Sequence, residues 1–365
     1  AGGVVPANIV GQPIMNRGPG RDPSDRTAAD SRRQRIRRAV VIHVIALGAV
    51  ACSYAVRLDA QFLGDGTVWV GALTEGKNFH HFEPLATALT RALAIGLAPQ
   101  KPATAGGALS ILLGPLYILL ISLLCRTLWR EPGIRGVCWL LLVLTPLLLL
   151  FCGYIESYPL LIVLEAAFVL ALVGAAERRV PLIVPALLLG LAMAAHLEAI
   201  AWVPALAVFS WRRRTVSSRA TGVHVAGAVA LALLVAVTVA GAVGGAPTTL
   251  LRDVFGRPGL GGQSFAWMFS WRHGVDVVNE SLLLLAPTFV LLAGALATGS
   301  GARAEGVPPL WQAIALLGAG TLAIALFVEP RIGGARDWDL FSPLVLPAVL
   351  LAVRAAARAS EATRG

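Results

Sequence analysis

Charged side chains are scarce in this chain. Asp, Glu, Lys and Arg make up 14% of its 365 residues, where soluble domains carry about 25%. Hydrophobic residues fill the difference at 57%, and the mean hydropathy is +0.75. That excess is too large to hide inside a water-soluble core, which argues against soluble cofactor enzymes, DNA-binding modules and disordered chains. Cysteine is also sparse. The four present, Cys52, Cys125, Cys138 and Cys152, fall in or beside apolar runs without a CxxC pair, so they read as small buried apolar residues, not as a disulfide framework or a metal knuckle. No glycine patch is followed by the Lys-Ser/Thr of a phosphate loop, so ATP-driven chemistry is not indicated. The fold class that remains is an all-α polytopic membrane protein.

A helix in hydrocarbon must satisfy its own backbone and needs about 20 apolar residues to cross. Such runs lie near 39–57, 105–128, 134–153, 156–176, 180–195, 196–211, 221–243, 280–299, 309–328 and 340–357, about ten transmembrane helices within a domain spanning 39–357. The adjacent pair 180–195 and 196–211 is short, and His196 with Glu198 could instead sit inside one long bent hairpin.

With the amino terminus inside, 21 of the 30 Lys and Arg residues fall in cytoplasmic segments, and every short inner loop is basic, as the positive-inside rule requires. Twelve of the 20 acidic residues fall outside and one, Glu165, inside a span. The net charge of +10 is therefore a topology signal, and no nucleic-acid partner is expected. The localisation read from this is a bacterial-type cytoplasmic (inner) membrane, with both termini cytoplasmic.

Residues 1–38, rich in Gly, Pro, Ser and Arg, lack hydrophobic periodicity and read as a basic mobile cytoplasmic arm. Residues 358–365 form a cytoplasmic tail. Two outer loops are long, 58–104 and 244–279. In the first, 67–76 and 84–97 read as short interfacial helices, the latter opening on Pro84 with Leu85, Leu89 and Leu93 on one stripe. The second combines Gly256, Gly259, Gly261 and Gly262 with Trp267 and Trp271, a composition that suits either a lid or a plain interfacial connector.

Polar chemistry collects on the outer face. Asp65, between Gly64 and Gly66, is either a turn residue or a carboxylate presented to accept a proton at the membrane surface. His80 and His81 precede Phe82-Glu83-Pro84-Leu85. Adjacent histidines point apart on an extended chain, so their spacing does not indicate a divalent metal, although the reading leaves room for one, and no cofactor is expected. Glu156 sits in a tight outer turn. Arg336, Asp337 and Asp339 precede the last span, where Arg336 could clamp a phosphate or neutralise its acidic neighbours.

The order Gly64-Asp65-Gly66, a short helix ending Glu75-Gly76, then Phe82-Glu83-Pro84-Leu85, resembles the first outer loop of GT-C class membrane glycosyltransferases. That class includes polyprenyl-phosphate-mannose protein mannosyltransferases and the aminoarabinose transferases of lipid A. The segment Arg336-Asp337-Trp338-Asp339-Leu340-Phe341-Ser342-Pro343 is similar to the Arg-aromatic entry of their last core span. The resemblance implies that Asp65 is the catalytic carboxylate and that Arg336 meets the donor phosphate. Glu83, Glu156, Asp337 and His81 are read as lining the same substrate site. It also implies a polyprenyl-phosphate-linked sugar as donor, reached through the lipid bilayer, and an acceptor outside.

The sequence departs from the class in three ways. Only Asp59 could supply a second acidic residue beside Asp65, the Lys-Pro-Pro stretch is reduced to Glu83-Pro84, and the chain is short. An alternative class of function is therefore a non-catalytic structural or assembly subunit whose partners are other membrane proteins. A transporter would need repeats or paired broken helices, which the sequence does not display.

Overall fold

The computed structural model describes residues 48, 50–52, 54–55, 66–75, 83–97, 102–212, 218–243, 269–297, 307–327 and 338–364. All belong to one compact unit, Ala46–Gly365, and among them there is no strand. The arm 1–38 lies outside the described residues, as does most of the first expected span.

The first outer loop carries two short helices, α1 (Gly66–Glu75) and α2 (Pro84–Leu97), each within one residue of its sequence expectation. Pro84 opens α2 at no cost, because the first-turn N–H it lacks has no partner in a helix. The Glu83 carbonyl accepts from both the Thr87 amide at 3.0 Å and the Thr87 hydroxyl at 2.9 Å. There follow α3 (Pro102–Leu128), α4 (Pro132–Val143) and a 3-10 turn (Pro146–Phe151). Next come α5 (Tyr158–Ala176), α6 (Ile183–Ala195), a second 3-10 turn (Leu197–Trp202) and α7 (Val203–Arg212). The chain ends with α8 (Ser218–Ala242), α9 (Trp271–Ala297), α10 (Pro309–Phe327), a 3-10 turn (Trp338–Leu344) and α11 (Val345–Arg364).

Six of these helical segments are long and apolar enough to cross a membrane. Two lie at the centre. The apolar windows of Tyr158–Ala176 and Trp338–Ala362 are each 72% buried, against 17% for Val223–Ala242, which leaves most of its surface for lipid. The chain is thus a multi-pass membrane protein, with six such helices among the described residues and the shorter apolar helices Pro132–Val143 and Ile183–Ala195 beside them.

Two of the expected spans differ from the structure, and the pair 180–195 and 196–211 is interrupted at its junction. The run 134–153 is not one helix. It stops at Val143 and resumes as a 3-10 turn after Thr145, because Pro146 has no N–H to carry the ladder onward. The span expected at 280 begins at Trp271 instead, where the Ser270 hydroxyl accepts from the His273 amide at 3.2 Å. Residues 271–279 are therefore helix, not outer loop. In the pair 180–195 and 196–211, His196 is a corner in extended conformation (φ −156°, ψ 129°).

The chain reverses at that corner. Gly174 lies against Val180 at one end of α5, and the Tyr158 ring lies 4.8 Å from the His196 ring at the other. From His196 onward the chain follows α5 back inward, with Phe168 and Trp202 stacked at 6.1 Å.

Interhelix polar contacts fasten the bundle. Tyr117 donates to the Leu142 carbonyl at 2.9 Å and stacks on Phe151 at 4.9 Å. The Trp202 indole donates to Thr321 at 3.3 Å, and Trp139 to Ser122 at 3.0 Å. Each such bond contributes roughly 0.6–1.7 kcal/mol inside a membrane. Cys125, Cys138 and Cys152 are buried thiols outside any disulfide, as expected, while Cys52 is exposed.

Candidate functional site

Four segments meet at one end of the bundle: the start of α2, residues 152–158, the His196 corner and the 3-10 turn leading into α11. Each is a place where a helix begins or ends, so backbone and side-chain polar groups collect there. The segment 152–157 can turn sharply because Gly153 takes φ 85°, a conformation glycine adopts without strain. A small apolar cluster of Trp69, Ala86, Ile155, Leu160 and Ala195 fixes α1, α2, α5 and α6 against one another beneath it.

Two polar networks stand on this base. In the first, the Tyr154 hydroxyl donates to Asp339 Oδ2 at 2.9 Å, and Asp339 Oδ1 accepts from the Leu340 amide at 3.1 Å. Glu156 is hydrogen-bonded to the same Asp339 carboxyl. The Trp338 ring closes the group at 5.8 Å from Tyr154. Burial, then the neighbouring Asp339 and Glu156 carboxyls, push the Tyr154 phenol well up, so it stays a hydrogen-bond donor at all ordinary pH.

The second network centres on His196. Its Nε2 lies 3.2 Å from Glu83 Oε1, and its Nδ1 accepts from the Glu198 amide at 3.1 Å. Glu198 Oε2 is 3.8 Å from the same nitrogen. Burial alone would lower the imidazole pKa, but the Glu83 hydrogen bond and the charges of Glu83, Glu198 and Asp339 outweigh it and hold the ring above its usual value. Asp339 thus links the two networks.

Glu165 lies deeper, fully buried, with both carboxyl oxygens lacking a hydrogen-bond partner among the described residues. Its electrostatic neighbours are Glu198 and Tyr117. Among the described residues no group of three or more His, Cys, Asp or Glu side chains is placed to hold a metal ion. The acids around His196 address opposite ring nitrogens and do not share one point.

Of the residues singled out from sequence, Glu83 and Glu156 are both buried here and joined through His196 and Asp339. Asp65, His81, Arg336 and Asp337 lie outside the described residues. Sequence reasoning missed Tyr154, Tyr158, His196 and Glu198 as site residues. The available signal was the His-x-Glu pair interrupting a run of about thirty apolar residues, since polar groups at such depth are costly unless paired or used.

No protein-family model and no curated protein sequence matches the chain. Among solved structures it is similar to ArnT from Cupriavidus metallidurans bound to undecaprenyl phosphate, with a TM-score of 0.52 at 17% sequence identity. The match covers 87% of this chain and 59% of that one, so the chain spans under two thirds of the ArnT length. At this identity the likeness is one of fold. The polytopic helical fold of this chain is therefore similar to that of ArnT.

Proposed function

We propose that the protein is an integral membrane glycosyltransferase that moves a sugar from a polyprenyl-phosphate donor to an acceptor on the outer face of the membrane. The observation that carries this reading is the fold shared with a structure holding undecaprenyl phosphate. The buried acid–tyrosine–histidine cluster, at the bundle end that includes the first outer loop's second helix, supports it.

In this reaction the bond between the anomeric carbon and the phosphate oxygen breaks, and the acceptor oxygen or nitrogen takes that carbon. Asp65 takes the acceptor's proton. Arg336, a planar cationic fork, holds the phosphate as it leaves with both electrons of the broken bond. Glu83, Glu156, His81 and Asp337 bind and orient the polar parts of donor and acceptor, which turns a bimolecular step into a positioned one.

Native mass spectrometry on gently solubilised protein tests the proposal. A bound polyprenyl phosphate or its sugar conjugate, lost on Arg336→Ala, is the expected result. Asp65→Asn should keep that lipid bound while abolishing sugar transfer. Copurified protein subunits with no such lipid would overturn the transferase reading in favour of an assembly subunit.

A further inference from the structure

His196 is positioned to do more than cap a 3-10 turn. It touches both the first outer loop, through Glu83, and the corner between α6 and α7, through the Glu198 amide. The two contacts use different nitrogens. Because Nδ1 accepts from the Glu198 amide, the neutral ring carries its proton on Nε2, aimed at Glu83. Protonation puts an N–H on Nδ1, which gives up the Glu198 amide as a donor and turns instead to the Glu198 carboxylate at 3.8 Å. The ring therefore keeps its hold on Glu83 in both states, and strengthens it as a cation.

Glu83 is the residue whose carbonyl starts α2, so whatever holds Glu83 holds the first turn of that helix. The other groups facing the ring are the Tyr158 ring at 4.8 Å and the charge of Asp339.

We propose that His196 is a positioning residue: by clasping Glu83 to the α6–α7 corner, it seats the start of α2 against the Tyr154–Glu156–Asp339 group and so orders one wall of the proposed substrate site. The use of the clasp rests on the glycosyltransferase reading, but its existence does not. The clasp is tightest where Glu83 is ionised and His196 protonated. It slackens as pH rises through the imidazole pKa, which stands above 6.5. A charge-assisted hydrogen bond of this kind corresponds to about tenfold in an opening equilibrium.

Two readouts separate the parts of the proposal. The first is hydrogen exchange of the Leu85–Thr87 amides in detergent at pH 6.5 and pH 9, corrected for the intrinsic rate. Wild type should open about tenfold more at the higher pH. His196→Asn keeps a side-chain oxygen for the Glu198 amide, so the corner folds, but it cannot carry the charge. It should open to a similar extent at both pH values. Glu83→Gln should likewise lose the pH dependence. The second readout is native mass spectrometry with added undecaprenyl phosphate, in which His196→Asn should bind less than wild type at pH 6.5 and equally at pH 9.

Exchange in these amides that is unaffected by pH or by His196→Asn would overturn the clasp. Exchange as expected but equal lipid binding at both pH values would overturn its role in the site. Exchange as expected with no lipid bound by wild type would overturn the glycosyltransferase reading and leave the clasp standing.

Discussion

Tyr154 and Tyr117 offer a comparison between two buried phenols with different duties. Tyr117 donates to a backbone carbonyl in the bundle interior, that of Leu142. Tyr154 donates to a carboxyl, that of Asp339. Tyr117→Phe removes one ordinary bond and should cost about 0.6–1.7 kcal/mol. Tyr154→Phe takes a donor from the Asp339 carboxyl, which is fully buried, and removes the bond to one of its oxygens. Its cost should be about 1–3 kcal/mol. Thermal unfolding in detergent should therefore rank Tyr154→Phe below Tyr117→Phe. The opposite order would mean that the Tyr154–Asp339 contact holds little of the fold together. Neither tyrosine's partner was legible in the sequence. Tyr154 and Asp339 stand 185 residues apart, and no local pattern pairs residues over that distance.

Elements were legible where a local signal existed, and not where backbone bonding decided. The helix over 84–97 could be read because Pro84 and a leucine stripe mark it. The run 134–153 could not, because hydropathy scores side chains and is blind to the N–H that Pro146 lacks. The break at His196 was not legible for a related reason: two short spans and one long bent hairpin suit the same apolar composition. What the structure adds is the close packing that makes the short segments workable.

A Cβ on Gly190 of α6 would come within 2.6 Å of the Ala232 carbonyl and of Val235 on α8. A Cβ on Gly320 of α10 would strike the Ala201 carbonyl in the turn after the corner. In both cases the obstruction is backbone, which cannot rotate away. Gly190→Ala and Gly320→Ala should each destabilise by about 1–3 kcal/mol. Gly227→Ala, with open space around it, should not lower the unfolding midpoint. If all three substitutions were tolerated alike, α6, α8 and α10 would not pack at the close approach described.

For the molecule as a whole, the decisive property is which end of the bundle faces out. The six long helices set how the chain fills the bilayer, but orientation rests on charge. The basic turn Glu177–Arg178–Arg179 and the His196 corner lie at opposite ends of α5, as the Gly174–Val180 and Tyr158–His196 contacts require. With the amino terminus inside, the turn is cytoplasmic and the acidic cluster is outside. Arg179 has a side chain 73% exposed, so a cysteine there is open to reagent.

In a background where the exposed Cys52 is replaced by Ala, Arg179→Cys should resist a membrane-impermeant maleimide in right-side-out vesicles and react once the membrane is opened. Labelling from outside without opening would put the Tyr154–Glu156–Asp339 group and His196 at the cytoplasmic face. The sugar would then have to be transferred inside the cell. The basic loops would have failed as a topology signal, and a donor reached from the outer leaflet would no longer fit the site. Protection until opening keeps the acid cluster, the first outer loop and the outer leaflet on one side, which the proposed transfer requires.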